Sequence, residues 1–156
     1  MKSLKIWSLV ALLAMALVSC GGDDDKGDNG GGDLPVVQTN IVGKWHLTSW
    51  CDAEPEFDVY IEFTKDGNFN IYQQTWTFTY EHFAGTYSVN NNILSGQYNN
   101  GQSWTASYIH EVKDSKLTLM NTVDLDEKGV YEASVIPAEI IEEATTTRAE
   151  EIVPFL

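Results

Sequence analysis

The sequence predicts an all-β domain, an eight-stranded antiparallel up-and-down barrel with a short C-terminal helix. Three observations carry that reading. From residue 41 onward apolar side chains recur with a period of two: Val59, Ile61 and Phe63 alternate with Tyr60, Glu62 and Thr64, the pattern of a strand with one buried face. Turn-forming clusters punctuate the chain about every ten residues. The runs between them are rich in Tyr, Trp, Val, Ile and Thr, which suit a pleated, half-buried surface.

Residues 41–50, Ile-Val-Gly-Lys-Trp-His-Leu-Thr-Ser-Trp, read as the first strand, to which the others are added in order. The second, through Val59, Ile61 and Phe63, turns at Lys65-Asp66-Gly67-Asn68, where glycine supplies a positive φ. Phe69 and Ile71 return with the same inward parity. Strands are then expected over residues 85–89, 93–98, 103–112, 117–123 and 130–136. Between them lie turns at Asn90-Asn91-Asn92, Asn99-Asn100-Gly101, Lys113-Asp114-Ser115 and Asp126-Glu127-Lys128-Gly129. Only the run over residues 104–112 breaks strict alternation, at Tyr108, Ile109 and Val112. Sequential hairpins can close into a ring, which removes exposed edges. A ring of about eight strands is either filled by its own side chains or holds one small ligand.

Gly43-x-Trp45 on the first strand resembles the lipocalin signature. The order Phe63-Thr-Lys-Asp-Gly-Asn-Phe69, Gly85-Thr-Tyr-Ser-Val-Asn90 and Leu117-Thr-Leu119 is similar to the lipocalin-like domain of Bacteroidota lipoproteins. The resemblance spans residues 41–136 and implies a barrel that takes a small ligand. One departure separates the chain from classical lipocalins: the arginine they place on the last strand against the first-strand tryptophan is missing between Val130 and Ile136.

The ends of the chain read differently. Residues 1–19 form a secretory signal: Lys2 and Lys5, an apolar run over residues 6–18, then Leu17-Val18-Ser19-Cys20. That last tetrapeptide resembles a bacterial lipobox, which implies lipidation at Cys20 and membrane attachment through that lipid. Residues 20–39 are the anchor cysteine and an acidic, glycine-rich tether, too polar to pack. Its Gly-Asp tract resembles a Bacteroidota surface-export signal, so the expected location is the outer membrane, at the cell surface. Residues 40–136 make the barrel and residues 137–156 a helix plus an apolar tail. The helix is expected over residues 137–144, with Ile140, Ile141 and Ala144 as its apolar stripe, broken by residues 145–148. Ile152-Val-Pro-Phe-Leu156 is too apolar for a solvated tail and is expected to pack back on the barrel.

With Cys20 lipidated, Cys51 has no intramolecular partner, so the domain must rely on burial and Cys51 is read as partly buried. Loss of Lys2 and Lys5 with the signal takes the net charge from −14 to −16, with a single arginine, Arg148. Nucleic acid and anionic headgroups are poor partners for such a chain.

Connection lengths orient the barrel. Tight turns at Asp66-Gly67, residues 90–92 and Asp114-Ser115 mark one end; longer connections over residues 51–56, 75–82, 99–102 and 124–128 share the other. Trp50, Trp76, Phe78, Tyr80, Tyr98 and Trp104 all lie near the loose end and are the candidate ligand-binding residues, for a small hydrophobic, amphipathic or glycan ligand. The alternative is that these rings plug the barrel. Trp45, Phe63, Phe69, Tyr87 and Leu119 are read as core near the closed end.

No catalytic or metal site and no cofactor is expected. His46, His82 and His110 lack a second ligand type at metal spacing and read as scattered surface histidines. Asp124-Leu-Asp126-Glu127 lacks a calcium-loop pattern, and nucleophile elbows and phosphate loops are missing. The sequence therefore points to a non-enzymatic, lipid-anchored binding protein. The alternatives are a filled barrel serving as an accessory to another envelope protein and a surface inhibitor acting through its loose loops.

Overall fold

The computed structural model describes residues 40–146 and 152–156. The expected signal, Cys20, the tether and Arg148 lie outside the described residues. The strands are β1 (Gly43–Trp50), β2 (Asp58–Phe63), β3 (Asn68–Gln74), β4 (Glu81–Asn90), β5 (Ile93–Tyr98), β6 (Tyr108–Lys113), β7 (Lys116–Asn121) and β8 (Lys128–Ala133). Each pairs antiparallel with the next, and β8 returns to β1 from Trp45 opposite Ala133 to Trp50 opposite Gly129. The result is a closed eight-stranded antiparallel barrel. A helix, α1 (Ala138–Glu143), and a short strand, β9 (Thr145–Thr146), follow. β9 runs parallel to the start of β4, opposite Glu81 and His82, where β5 does not reach.

Inward parity fills the ring. Trp45, Leu47, Val59, Ile61, Phe63, Phe69, Ile71, Phe83, Leu94, Leu117, Leu119 and Tyr131 form one continuous core. The Gly-x-Trp motif has a local cause. Gly43 adopts φ +156°, and the Trp45 indole folds back so that Nε1 donates to the Ile41 carbonyl at 2.8 Å. The barrel's first ring is thereby placed with its polar edge satisfied.

Two hairpins use paired left-handed residues: Asn91 and Asn92 between β4 and β5, Asp114 and Ser115 between β6 and β7. This is the type I′ pattern, whose twist matches that of the flanking strands. Cys51 and Asp52 repeat it at the end of β1, with φ of 50° and 62°, and Trp50 and Ala53 exchange backbone hydrogen bonds of 2.8 and 3.0 Å. Cys51 therefore sits at a turn tip and is exposed, not partly buried as the sequence suggested.

The expected strand over residues 103–112 is really two pieces. β6 begins only at Tyr108 and pairs with β5 at two positions, Ile93–Ile109 and Leu94–Tyr108. The preceding residues fold back on the other half of β5: Ser103 bridges Gln97, and the Trp104 N–H donates to the Gly96 carbonyl at 2.9 Å. The broken alternation at Tyr108, Ile109 and Val112 marks that change of partner.

Outside the barrel, Ile136 and Ile140 of the helical segment pack on Tyr60 and Tyr72, which face each other across β2 and β3. Of the expected stripe, Ile140 is buried, Ala144 packs beside it and Ile141 is exposed.

Gly96 lies directly beneath Trp104: a Cβ there would approach the indole Cε2 to 2.3 Å. Gly96→Ala is expected to displace the ring and cost about 1–3 kcal/mol, as overpacking does. Urea unfolding with tryptophan emission, which should shift red, measures it.

Candidate functional site

The loops after β1, β3, β5 and β7 ring the open end, yet the six candidate aromatics do not share it. Trp50 is half-buried at the rim, and Trp76 stands 80 % exposed on the loop after β3. Phe78, on the same loop, is fully exposed. Tyr80 lies on the outer wall, where its hydroxyl donates to the Asp58 carboxylate. Tyr98 and Trp104 are in the core, both edge-on to Phe69 at 5.6 and 5.0 Å. Strand tilt explains the scatter. Tyr98 ends β5 but faces Gly85, which faces Phe69, which in turn faces Phe63 beside the closed-end turn. Distance from a loop along the chain is not height in a tilted barrel.

The mouth itself is occupied by the tail. Phe155 sits edge-on to Trp50 at 4.8 Å and 5.4 Å from Phe57. Leu156 is 1 % exposed and belongs to the barrel core. The expectation that residues 152–156 pack back is met at its deepest point, inside the ring.

Three polar contacts hold this segment. Gln73 on β3 is 0 % exposed; its Nε2 donates to the Val153 carbonyl at 3.2 Å and to Thr75 Oγ1 at 3.1 Å. Its Oε1 accepts the Phe155 N–H at 2.8 Å. The Tyr98 hydroxyl donates to the Leu156 carbonyl at 2.5 Å. Gln73 was overlooked as a site residue, although it follows Phe69 and Ile71 at the same inward parity. A glutamine at a core position was the available signal, because an amide is buried only with its hydrogen bonds made.

Beside the tail an apolar groove of about 460 Å³ is lined by Trp50, Phe57, Thr75, Trp76, Pro154 and Phe155. Further in, burial holds the phenols neutral. The Tyr98 pKa is raised by desolvation and by nearby Tyr108, against the opposing effect of its bond to Leu156. Tyr108 is pushed up to about 12 by burial and by Glu127, with a Thr105 hydrogen bond opposing. Tyr131, wholly buried, is raised well above the ordinary value by desolvation and by Tyr108. Such groups remain hydrogen-bond donors at neutral pH. Among the described residues the Tyr131 hydroxyl and the Trp104 Nε1 have no partner. Tyr131 leans over Gly129 toward the open end, its hydroxyl 3.2 Å from where a Cβ would lie.

The outer wall is polar. His46 Nε2 lies 2.6 Å from Asp58 Oδ1, and its ring stacks on Tyr60 at 4.3 Å. A second hollow of about 480 Å³, lined by His46, Glu54, Glu56, Asp58 and Gln74 among others, opens beside it. His110 is not a surface residue: it is 2 % exposed, with Nδ1 2.9 Å from the Asn92 carbonyl. Among the described residues no three His, Cys, Asp or Glu side chains converge on a metal position.

A family model described as a lipocalin-like domain matches residues 41–119. The chain belongs to that family. No curated protein matches it. The lipocalin-like match runs from β1 into β7, so Tyr131 and the tail contacts are read from this chain's own geometry. Lipocalin-like barrels are typically binding rather than catalytic folds, and hydrophobic ligands are what they typically take.

Two outcomes are expected. Tyr98→Phe leaves the buried Leu156 carbonyl unmatched and is expected to cost about 1–3 kcal/mol, seen in urea melts and in faster exchange of the Phe155 amide. His82 stacks on Tyr72 at 4.7 Å, and burial lowers its pKa from 6.5. The unfolded chain then binds a proton that the folded one refuses. Stability is expected to fall as pH drops below about 6.5, through the window down to the folded pKa. Melting curves against pH should lose that part of the slope in His82→Gln.

Proposed function

We propose that this is a lipid-anchored envelope protein, attached at Cys20, whose lipocalin-like barrel binds a small hydrophobic or amphipathic molecule at its mouth without covalent chemistry. The observation that carries the reading is the 460 Å³ apolar groove between Trp50, Phe57 and Trp76. Its size is that of a small-molecule site, and an 80 % exposed tryptophan at its edge is hard to explain by packing. Trp50 and Trp76 are the apolar walls and Phe78 extends the same loop, while Tyr98 lies in the core below with its hydroxyl on the Leu156 carbonyl. Tyr80 and Trp104 sit away from the groove and serve the wall and the core. The signal-like residues 1–19 and the lipobox-like residues 17–20 support outer-membrane attachment, with the acidic tether favouring the cell surface.

A second reading draws on a different observation. The interior is packed by Phe63, Phe69, Trp104, Tyr131 and Leu156, so the barrel also suits an accessory protein that docks on another envelope component through its exposed rim.

Tryptophan emission titrated across a lipid and glycan panel separates them. Saturable binding that weakens about ten-fold in Trp50→Ala and Trp76→Ala, a typical cost of losing a well-packed aromatic contact, supports the first. Unchanged emission across the panel, with no bound mass in native mass spectrometry of protein from its own cells, overturns it. Cys20→Ala is expected to abolish incorporation of labelled fatty acid.

A further inference from the structure

The tail is gripped through its backbone. A primary amide offers one donor side and one acceptor side, and Gln73 spends both on the same stretch of chain: the Val153 carbonyl at 3.2 Å and the Phe155 N–H at 2.8 Å. These groups flank Pro154, which has no N–H of its own. A carbonyl at one residue and an amide two residues later share one edge of an extended peptide, so Gln73 acts as a one-residue strand partner. Tyr98 adds a third backbone contact at the Leu156 carbonyl, 2.5 Å away. Gln73 is wholly buried. A plain acyl chain in the same place would leave the Oε1 acceptor of its amide unmatched and its Nε2 with Thr75 Oγ1 alone, which is costly. The tail does not satisfy everything either, since the Tyr131 hydroxyl remains without a partner among the described residues.

We propose that the barrel mouth is a peptide-recognition site for an extended segment of the pattern apolar-Pro-aromatic-Leu, read by Gln73 and Tyr98, and that residues 152–156 occupy it in cis. The proposal rests on the mouth being a ligand site and names the ligand class as peptide. Tethering gives the tail an effective concentration on the order of millimolar, so a peptide supplied in trans competes poorly until the tail is weakened.

The test uses the full chain carrying Phe155→Ala and Leu156→Ala together, which leaves Gln73 and Tyr98 in place. It is titrated with an acetylated, amidated Ile-Val-Pro-Phe-Leu peptide, with Trp emission and thermal shift as readouts. The tail-weakened chain is expected to bind this peptide at least about ten-fold tighter than the parent, because the competing segment no longer seats. N-methylation of the peptide's phenylalanine nitrogen removes the N–H that Gln73 accepts and is expected to weaken binding about ten-fold. Adding Gln73→Leu to the protein should weaken the unmodified peptide similarly and erase the N-methyl effect. Equal binding of the two peptides by a variant with intact near-ultraviolet dichroism would overturn the proposal. So would binding of an apolar dye without the peptide, which leaves the groove reading standing; loss of dye and peptide together defeats both. Should the double variant fail to fold, Gln73→Leu in the parent decides. Release of the tail, seen as rapid exchange at Phe155, supports the proposal, and a tail as protected as the parent's overturns it.

Discussion

Everything in this molecule hangs on the ladder between β8 and β1. The other pairings of the ring are local hairpins or join strands close in sequence, but this one brings Trp45 to Ala133 and Trp50 to Gly129. Once it forms, no strand of the ring is left as a free edge, and the inward side chains of eight strands share one interior. The closure entropy of so long a loop is modest per added residue, whereas the burial it permits is large: Tyr131 and Leu47 become neighbours of the whole core only through that ladder.

A closed ring creates a problem at its mouth. The interior is apolar toward the tight turns, while the open end exposes Trp50, Phe57 and the buried amide of Gln73 to solvent unless something covers them. In this chain the cover is polypeptide. Phe155 completes an aromatic triad with Trp50 and Phe57, and Leu156 extends the core upward. The helix before it plays a separate part on the outer wall, where Ile140 shields Tyr60 and Tyr72. One stretch of sequence after the barrel thus covers two unrelated faces.

The barrel was largely legible because period-two alternation, turn chemistry and strand number agree with one another. Asn91-Asn92 and Asp114-Ser115 mark hairpins for a reason visible in the residues themselves: both pairs tolerate left-handed backbone. Cys51-Asp52 makes the same turn without announcing it, so an exposed thiol was read as partly buried. His110 was misjudged because it lies within residues 104–112, the run whose broken alternation left inward and outward positions unassigned. The site was harder to read. Height within a tilted barrel depends on register, which is a property of pairs of strands, and Tyr98 and Trp104 fall into the interior for that reason. Gln73 was visible only as a parity anomaly, and its meaning appears when Val153 and Phe155, about eighty residues downstream, come to meet it.

The two-pair seam between β5 and β6 is the thinnest zone of strand pairing in this ring. Elsewhere around the ring at least four residue pairs join neighbours. The segment carrying Trp104 patches the gap that β6 leaves: the Trp104 N–H donates to the Gly96 carbonyl and its indole packs on Phe63, Phe69 and Tyr108. The wall is thus closed by two unlike pieces, a short ladder and a segment held mainly by its buried indole.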